Sequence, residues 1–324
     1  MDKKVRFHLP GLRYNFPLNI TLLGMMKEAP EFFRENLEIG SFFGEFPTSR
    51  WNGGRFSYGD QCDAAFVRNV IKSINGWGVP VRYTYTNPLI KEADLADDYC
   101  NFCMEAADNG MNEVLVVSPV LEEYIRKKYP RFKINSSTCK EIRDVGGLNE
   151  ELKKDYALVV LDYNMNNQFN LLEQISDKER CEVLVNACCV PECPRRGEHY
   201  RQIGREQEIV LKNRTLPPNR QIPVPGWTCE YGEKNTFYSI QGYSTFVSPE
   251  AVWEEYLPRG FCNFKIEGRT ANLFSLIDTY CHYLMRPNRR DEGRFLLTIA
   301  MEKHKIVSIN KPRPAKFVRE QHGR

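Results

Sequence analysis

A (β/α) barrel forming a single main domain is what the sequence predicts, on three observations. Seven or eight short apolar runs of strand length alternate with helical patterns at intervals of roughly 25 to 40 residues. No Gly-x-Gly-x-x-Gly follows the first run, which removes the mark of a doubly wound nucleotide-binding sheet. Polar residues gather where the runs end, as they do where the loops after barrel strands build a site. At 324 residues, 42% of them hydrophobic, the chain can fill the core of one large barrel.

The runs follow in order. Val5 to Leu9 is the first strand, ended by Pro10-Gly11, and residues 21–35 read as a helix through Leu22, Leu23, Met26, Phe32 and Phe33. Ile39 to Phe46 is the second strand. It leaves into a long glycine-rich loop whose Asn52-Gly-Gly-Arg55 turn can present backbone N–H groups to an anion, or be a plain tight turn. Asp60 is placed to cap the helix that follows. Val81 to Thr86 is the third strand, and residues 93–109 read as a helix whose Cys100 and Cys103 share one face and pack. Glu113 to Val117, Phe132 to Asn135 and Tyr156 to Leu161 are the next three strands, with helices between them.

Val183 to Val185 is the seventh strand, and its exit is the most informative stretch of the chain. Cys188, Cys189 and Cys193 fall within six residues on a loop stiffened by Pro191 and Pro194, with Arg195, Arg196 and His199 directly after. Beyond it the sequence reads as an irregular, proline-rich insertion near residues 201–240. Ser248 is a natural N-cap with Pro249 at the first helical position, Phe264 to Ile266 is the last strand, and residues 271–283 are helical. The barrel is thus expected over residues 1–290, with residues 291–324 as a C-terminal extension.

Composition narrows the function. A formal net charge of +3 with mixed signs along the chain carries no global nucleic-acid signature. No apolar stretch reaches the length of a bilayer span and no signal-peptide core opens the chain, so a cytoplasmic protein without membrane contact is expected. Eleven cysteines in a reducing compartment point to metal rather than to disulfides, and suit an anaerobic host. Neither a Gly-x-Ser-x-Gly elbow nor His-Glu-x-x-His occurs, which argues against a serine hydrolase and a zincin.

Cys189-Val-Pro-Glu-Cys193 sets two thiols four apart on a loop, as iron–sulfur clusters and structural zinc both require. Cys229, on another irregular loop, is the third candidate ligand; Cys62 and Cys139 are candidates for a fourth. A four-iron four-sulfur cluster is preferred to zinc, because paired Cys-x-x-Cys hooks are missing outside Cys100 and Cys103. Arg195, Arg196 and His199 either bind an anionic substrate, tune a cluster, or form a solvated basic face.

Two segments resemble a known family. Phe264-Lys-Ile-Glu-Gly-Arg269, followed by a helix with Tyr280 and Tyr283, is similar to the closing signature of the collagenase-like "U-thirty-two" peptidases. The Asn186-x-x-Cys189-x-x-x-Cys193-Pro-x-Arg196-x-x-His199 run resembles a motif in one branch of that family. The resemblance implies a TIM-like barrel. It also implies kinship with proteins that hold a four-iron four-sulfur cluster on four cysteines and carry out oxygen-independent hydroxylation of ubiquinone precursors or RNA bases. On that basis Arg196, His199, Glu267 and Arg269 are expected to act in catalysis, and Asn186 and Lys265 to contact the cofactor. Substrates in view are a small molecule, a peptide or an RNA, with a related barrel protein as partner. The alternatives are a metal-dependent peptidase using Glu267 or Glu45, and a non-catalytic module with a structural cluster.

Overall fold

The computed structural model describes residues 4–53, 61–230, 237–268 and 272–306. Eight parallel strands close into a barrel in sequence order, β1 pairing with β8. They are β1 (Val5–Pro10), β2 (Leu37–Gly44), β3 (Val81–Tyr85), β4 (Glu113–Val116), β5 (Lys133–Ser136), β6 (Leu158–Val160), β7 (Cys181–Leu184) and β8 (Asn263–Lys265). Outside them lie α1 (Phe16–Glu28), α2 (Ala64–Gly76), α3 (Asp98–Ala107), α4 (Pro119–Lys128), α5 (Val145–Leu152), α6 (Phe169–Leu172), α7 (Arg196–Asn213), α8 (Pro249–Ala251), α9 (Leu273–Leu284) and α10 (Arg290–Lys303). No described helix is long and apolar enough to cross a membrane.

Local chemistry accounts for the elements. Asp63, and not the Asp60 expected, caps α2 by accepting from the Phe66 N–H at 2.8 Å; Asp60 lies outside the described residues. Ser248 caps α8 as its sequence predicts, with Pro249 in the first turn. Cys100 and Cys103 are buried on α3 against the core, the packing role expected of them.

The section expected to be irregular from residue 201 is corrected: residues 196–213 form the long helix α7. Its inner face is largely polar, with Glu206 and Gln207 buried and Gln207 Nε2 donating to the Ser49 carbonyl at 2.8 Å. A helix docked through hydrogen bonds leaves little apolar periodicity to read. The extension expected from residue 291 begins with α10, which buries Gly293, Leu297 and Met301 and packs on α9 and α1.

The barrel interior departs from the usual filling of branched apolar side chains. Phe7, Tyr83, Val114, Ile134, Val183 and Phe264 belong to the apolar core between strands and helices. Their neighbours His8, Arg82, Glu113, Asn135, Glu182 and Asn263 interact with one another in the interior and are all buried. Arg82 Nε donates to Glu113 Oε2 at 2.7 Å, its Nη1 pairs with Glu182, and its Nη2 donates to His8 Nδ1 at 2.9 Å. Asn135 donates to Glu113 Oε2 at 2.9 Å.

Because Arg82 can only donate, His8 Nδ1 is an acceptor and the Nε2–H faces Asn263 Oδ1 and Glu182 Oε2, each at 3.4 Å. Room for the imidazole comes from a register shift between Phe7 and His8 opposite Gly40. A Cβ at Gly40 would come within 2.5 Å of His8 Cε1.

This network makes stability depend on pH. Burial, then the Arg82 charge, lowers the His8 pKa from 6.5 to about 4. Glu182 is held at about 2: burial opposes ionisation, but Arg82, His8 and Lys265 outweigh it. As pH falls from 6.5 to 4 the unfolded chain takes up a proton that folded His8 refuses, so stability is lost through that window. Below about 4.5 an unfolded Glu182 protonates while the folded one does not, and the loss continues towards pH 2. His282, lowered to about 4 chiefly by burial, titrates in the upper window too. The urea midpoint should therefore fall steadily below pH 6.5, and His8→Asn should remove about half of the dependence between pH 6.5 and 4. A flat profile over that window would refute the assignment of a neutral, buried His8.

Candidate functional site

The strand exits meet over the C-terminal mouth of the barrel around a cavity of about 830 Å³, part of it open to solvent. Thr84 in β3 and Thr86 just after it, Ser137, Thr138 and Cys139 after β5, and Tyr163 after β6 line part of it. Cys189 after β7, Lys265, Glu267 and Gly268 from β8, and Arg196, His199 and Tyr200 of α7 also line it. Lys265 joins this cavity to the interior network, its Nζ standing 3.6 Å from Glu182 Oε1 and 4.3 Å from the centre of the Phe43 ring.

Two linkages fix the mouth. In the first, Asn186 Oδ1 accepts from the Glu267 N–H at 2.7 Å and Asn186 Nδ2 donates to the Glu267 carbonyl at 3.0 Å. Glu267 Oε2 in turn accepts from the Cys188 N–H at 2.9 Å. The β7 and β8 exits are therefore tied side chain to backbone in both directions, and the Asn186 amide acts on protein. Asn186→Ala should lower stability by about 1–3 kcal/mol, since it strands buried backbone groups. It should also speed hydrogen exchange at the Glu267 amide; unchanged exchange there would overturn this role.

In the second, Arg196 is buried and each of its guanidinium nitrogens has a protein partner. Nη1 pairs with Asp162 Oδ2 at 2.6 Å, Nη2 donates to the Thr138 carbonyl at 3.0 Å and its Oγ1 at 2.8 Å, and Nε donates to Tyr200 Oη at 2.8 Å. The group also lies 4.4 Å from the Tyr163 ring centre. Arg196 thus clamps the β5 and β6 exits to α7 while also lining the main cavity. Burial, reinforced by Cys139 and opposed by Arg196, raises the Tyr200 pKa, so the phenol stays protonated.

Cys189, Cys193 and Cys229 open on a second, smaller cavity of about 290 Å³, together with Arg195, His199 and Trp227. Cys189 and His199 line both cavities and form their common wall. The loop carrying Cys229 is held there by its neighbours. Trp227 stacks on His199 with centroids 4.7 Å apart and planes 7° from parallel, Arg195 lies 4.2 Å from the Trp227 ring centre, and Arg195 Nη1 donates to the Thr228 carbonyl at 3.3 Å. Glu192, between the two ligand candidates of the first loop, adopts φ 53° and donates its N–H to Asn164 Oδ1 at 2.9 Å, turning Cys193 back towards the helix.

Among the described residues no three His, Cys, Asp or Glu side chains converge closely enough to hold a single metal ion. Cys189, Cys193 and Cys229 line one shared space. Of the fourth ligands considered, Cys139 lines the main cavity. Cys62 sits ahead of α2 with its N–H donating to Tyr99 Oη at 3.0 Å, remote from both cavities. Arg269, and Gly54 and Arg55 of the glycine-rich turn, lie outside the described residues. Glu45 is buried and accepts from Thr84 Oγ1 at 3.2 Å.

Asp162 and Thr138 belong to the polar strand exits expected to converge on the site, whereas Tyr200 is a lining residue that sequence reasoning did not single out. Arg196 and Tyr200 are one helical turn apart, a spacing that becomes visible only once α7 is recognised.

No family model and no curated protein matches the sequence. Among solved structures, the fold is similar to that of the U32 peptidase Mk0906, at 11% identity and a TM-score of 0.45, over 82% of this chain and 93% of that one.

Proposed function

We propose that this protein is an iron–sulfur enzyme of the U32 peptidase-like class, acting on a small molecule bound in the mouth of the barrel. Cys189, Cys193 and Cys229 would hold a four-iron four-sulfur cluster. The observation that supports it best is that three thiols from two segments remote in sequence open on one cavity, and that this cavity shares a wall with the larger one. A cluster bound there would supply electron transfer, or Lewis acidity at an iron with an open position, at the edge of the substrate space.

The chain's own residues define what that space accepts. Phe43, Leu115, Leu184 and Tyr163 give it apolar walls, against which a few hydroxyls and the Lys265 ammonium can orient a ligand. Arg196 and Asn186 hold the walls in register, and protonated Tyr200 can donate a hydrogen bond. The reaction class that fits is a redox modification, such as oxygen-independent hydroxylation.

The test is iron and acid-labile sulfide content with an absorption spectrum, on protein purified without oxygen. About four irons per chain are expected, lost in Cys189→Ala, Cys193→Ala and Cys229→Ala while circular dichroism shows the fold retained. Zinc alone would move the reading to a hydrolytic or structural metal, and no metal at all would overturn it.

A further inference from the structure

We infer that a second copy of this chain docks on helix α10, the two helices packing antiparallel across a two-fold axis between residues 297 and 298. Helix α10 is apolar on two faces. Gly293, Leu297 and Met301 are buried where it packs on α9 and α1. Away from them, Phe295, Leu296 and Ile299 are 64%, 39% and 40% exposed. Single exposed apolar residues are ordinary, but three together on a helix whose other face is already packed mark a surface that takes a partner. Beside them runs a mostly apolar groove between α1 and α10, lined by Phe16, Ile20, Met25, Trp77, Leu296 and Ala300. Ridge and groove together are wider than one helix, as an interface burying about 1,200 Å² or more in total requires.

The occupant follows from the order of side chains along the helix. Glu292, Leu296, Ile299 and Lys303 are exposed, and their spacing of four, three and four residues is that of a coiled-coil seam. Turned antiparallel, this seam complements itself. Leu296 meets the partner's Ile299 and Glu292 meets the partner's Lys303, each contact occurring twice as a two-fold axis demands. Two apolar layers then lie at the centre, with one pair of opposite charges at either end. A parallel pair would instead set Glu292 against Glu292 and Lys303 against Lys303. Glu292 Oε2 already accepts from Arg289 at 2.8 Å, so the end pairs fix the register while the apolar layers supply the affinity.

The experiment is sedimentation velocity on the full chain from nanomolar to micromolar concentration. Wild type is compared with Leu296→Glu/Ile299→Glu, with Glu292→Lys and Lys303→Glu alone, and with the two charge changes combined. Wild type should reach twice the 37.8 kDa of one chain. Leu296→Glu/Ile299→Glu should stay monomeric with unchanged circular dichroism, since these side chains already face water in one copy. Each single charge change sets like charges together at both ends and should weaken the dimer about tenfold, and the combined change should restore it. The charge variants alter only exposed side chains, so they keep the test decisive should the apolar variant fail to fold. A wild type that stays monomeric throughout, or a dimer that survives Leu296→Glu/Ile299→Glu, overturns the inference. A dimer indifferent to the single charge changes overturns the antiparallel seam.

Discussion

Arg82→Met should destabilise the barrel by about 3–5 kcal/mol, because it leaves Glu113 and Glu182 charged and buried without the guanidinium that joins them. The carboxylates then lose the interaction that keeps Glu182 ionised, so the deficit against wild type should shrink as pH is lowered. Replacing all three groups, as Arg82→Met with Glu113→Gln and Glu182→Gln, should recover part of the loss, since neither carboxylate is then stranded although Lys265 loses Glu182. Urea unfolding of the single and triple variants measures both effects. A single variant within about 1 kcal/mol of wild type would mean that the interior is wetter than its burial implies.

Arg196→Met should cost a similar amount, about 3–5 kcal/mol, through the uncompensated Asp162 carboxylate beneath it. It also releases Thr138 and Tyr200, so the mouth should loosen as well as the fold. Arg196→Lys keeps the charge but not the planar fork that serves three partners, and should recover only part of the stability. A double-mutant cycle with Asp162→Asn isolates the pair, and coupling below about 0.5 kcal/mol would argue that the clamp works through packing on Tyr163 instead.

The parts of this fold that were legible in the sequence are those written in local patterns. Strand-length apolar runs between turn residues gave the eight-stranded barrel, and Ser248-Pro249 marked a helix start that the structure reproduces. The exit of β7 stood out as a candidate site because thiols, prolines and basic residues crowd one loop. Long-range pairings were not legible. Nothing local in Arg82, Glu113 or Glu182 says that they meet, although charged residues inside strands that ought to be apolar throughout are a signal of an interior network. Nor was the pairing of Asn186 with the backbone of Glu267, 81 residues away, legible. Helix α7 was hidden by its polar inner face, and with it the reason that Arg196 and Tyr200 act together.

The charged interior has a consequence for how such a molecule can change over time. It seals the barrel from below, so the lower half behaves as a self-contained keystone and the upper half as an open workshop. Substitutions at mouth residues that do not contact Arg82 or its carboxylates should combine almost additively with changes below. Lys265 touches both halves, through Glu182 on one side and the cavity on the other. A new ligand preference acquired at Lys265 would therefore carry a penalty in folding, whereas one acquired at Thr84, Ser137 or Leu184 need not. Ligand preference can drift in this barrel without endangering its lifetime, provided that drift begins at the rim.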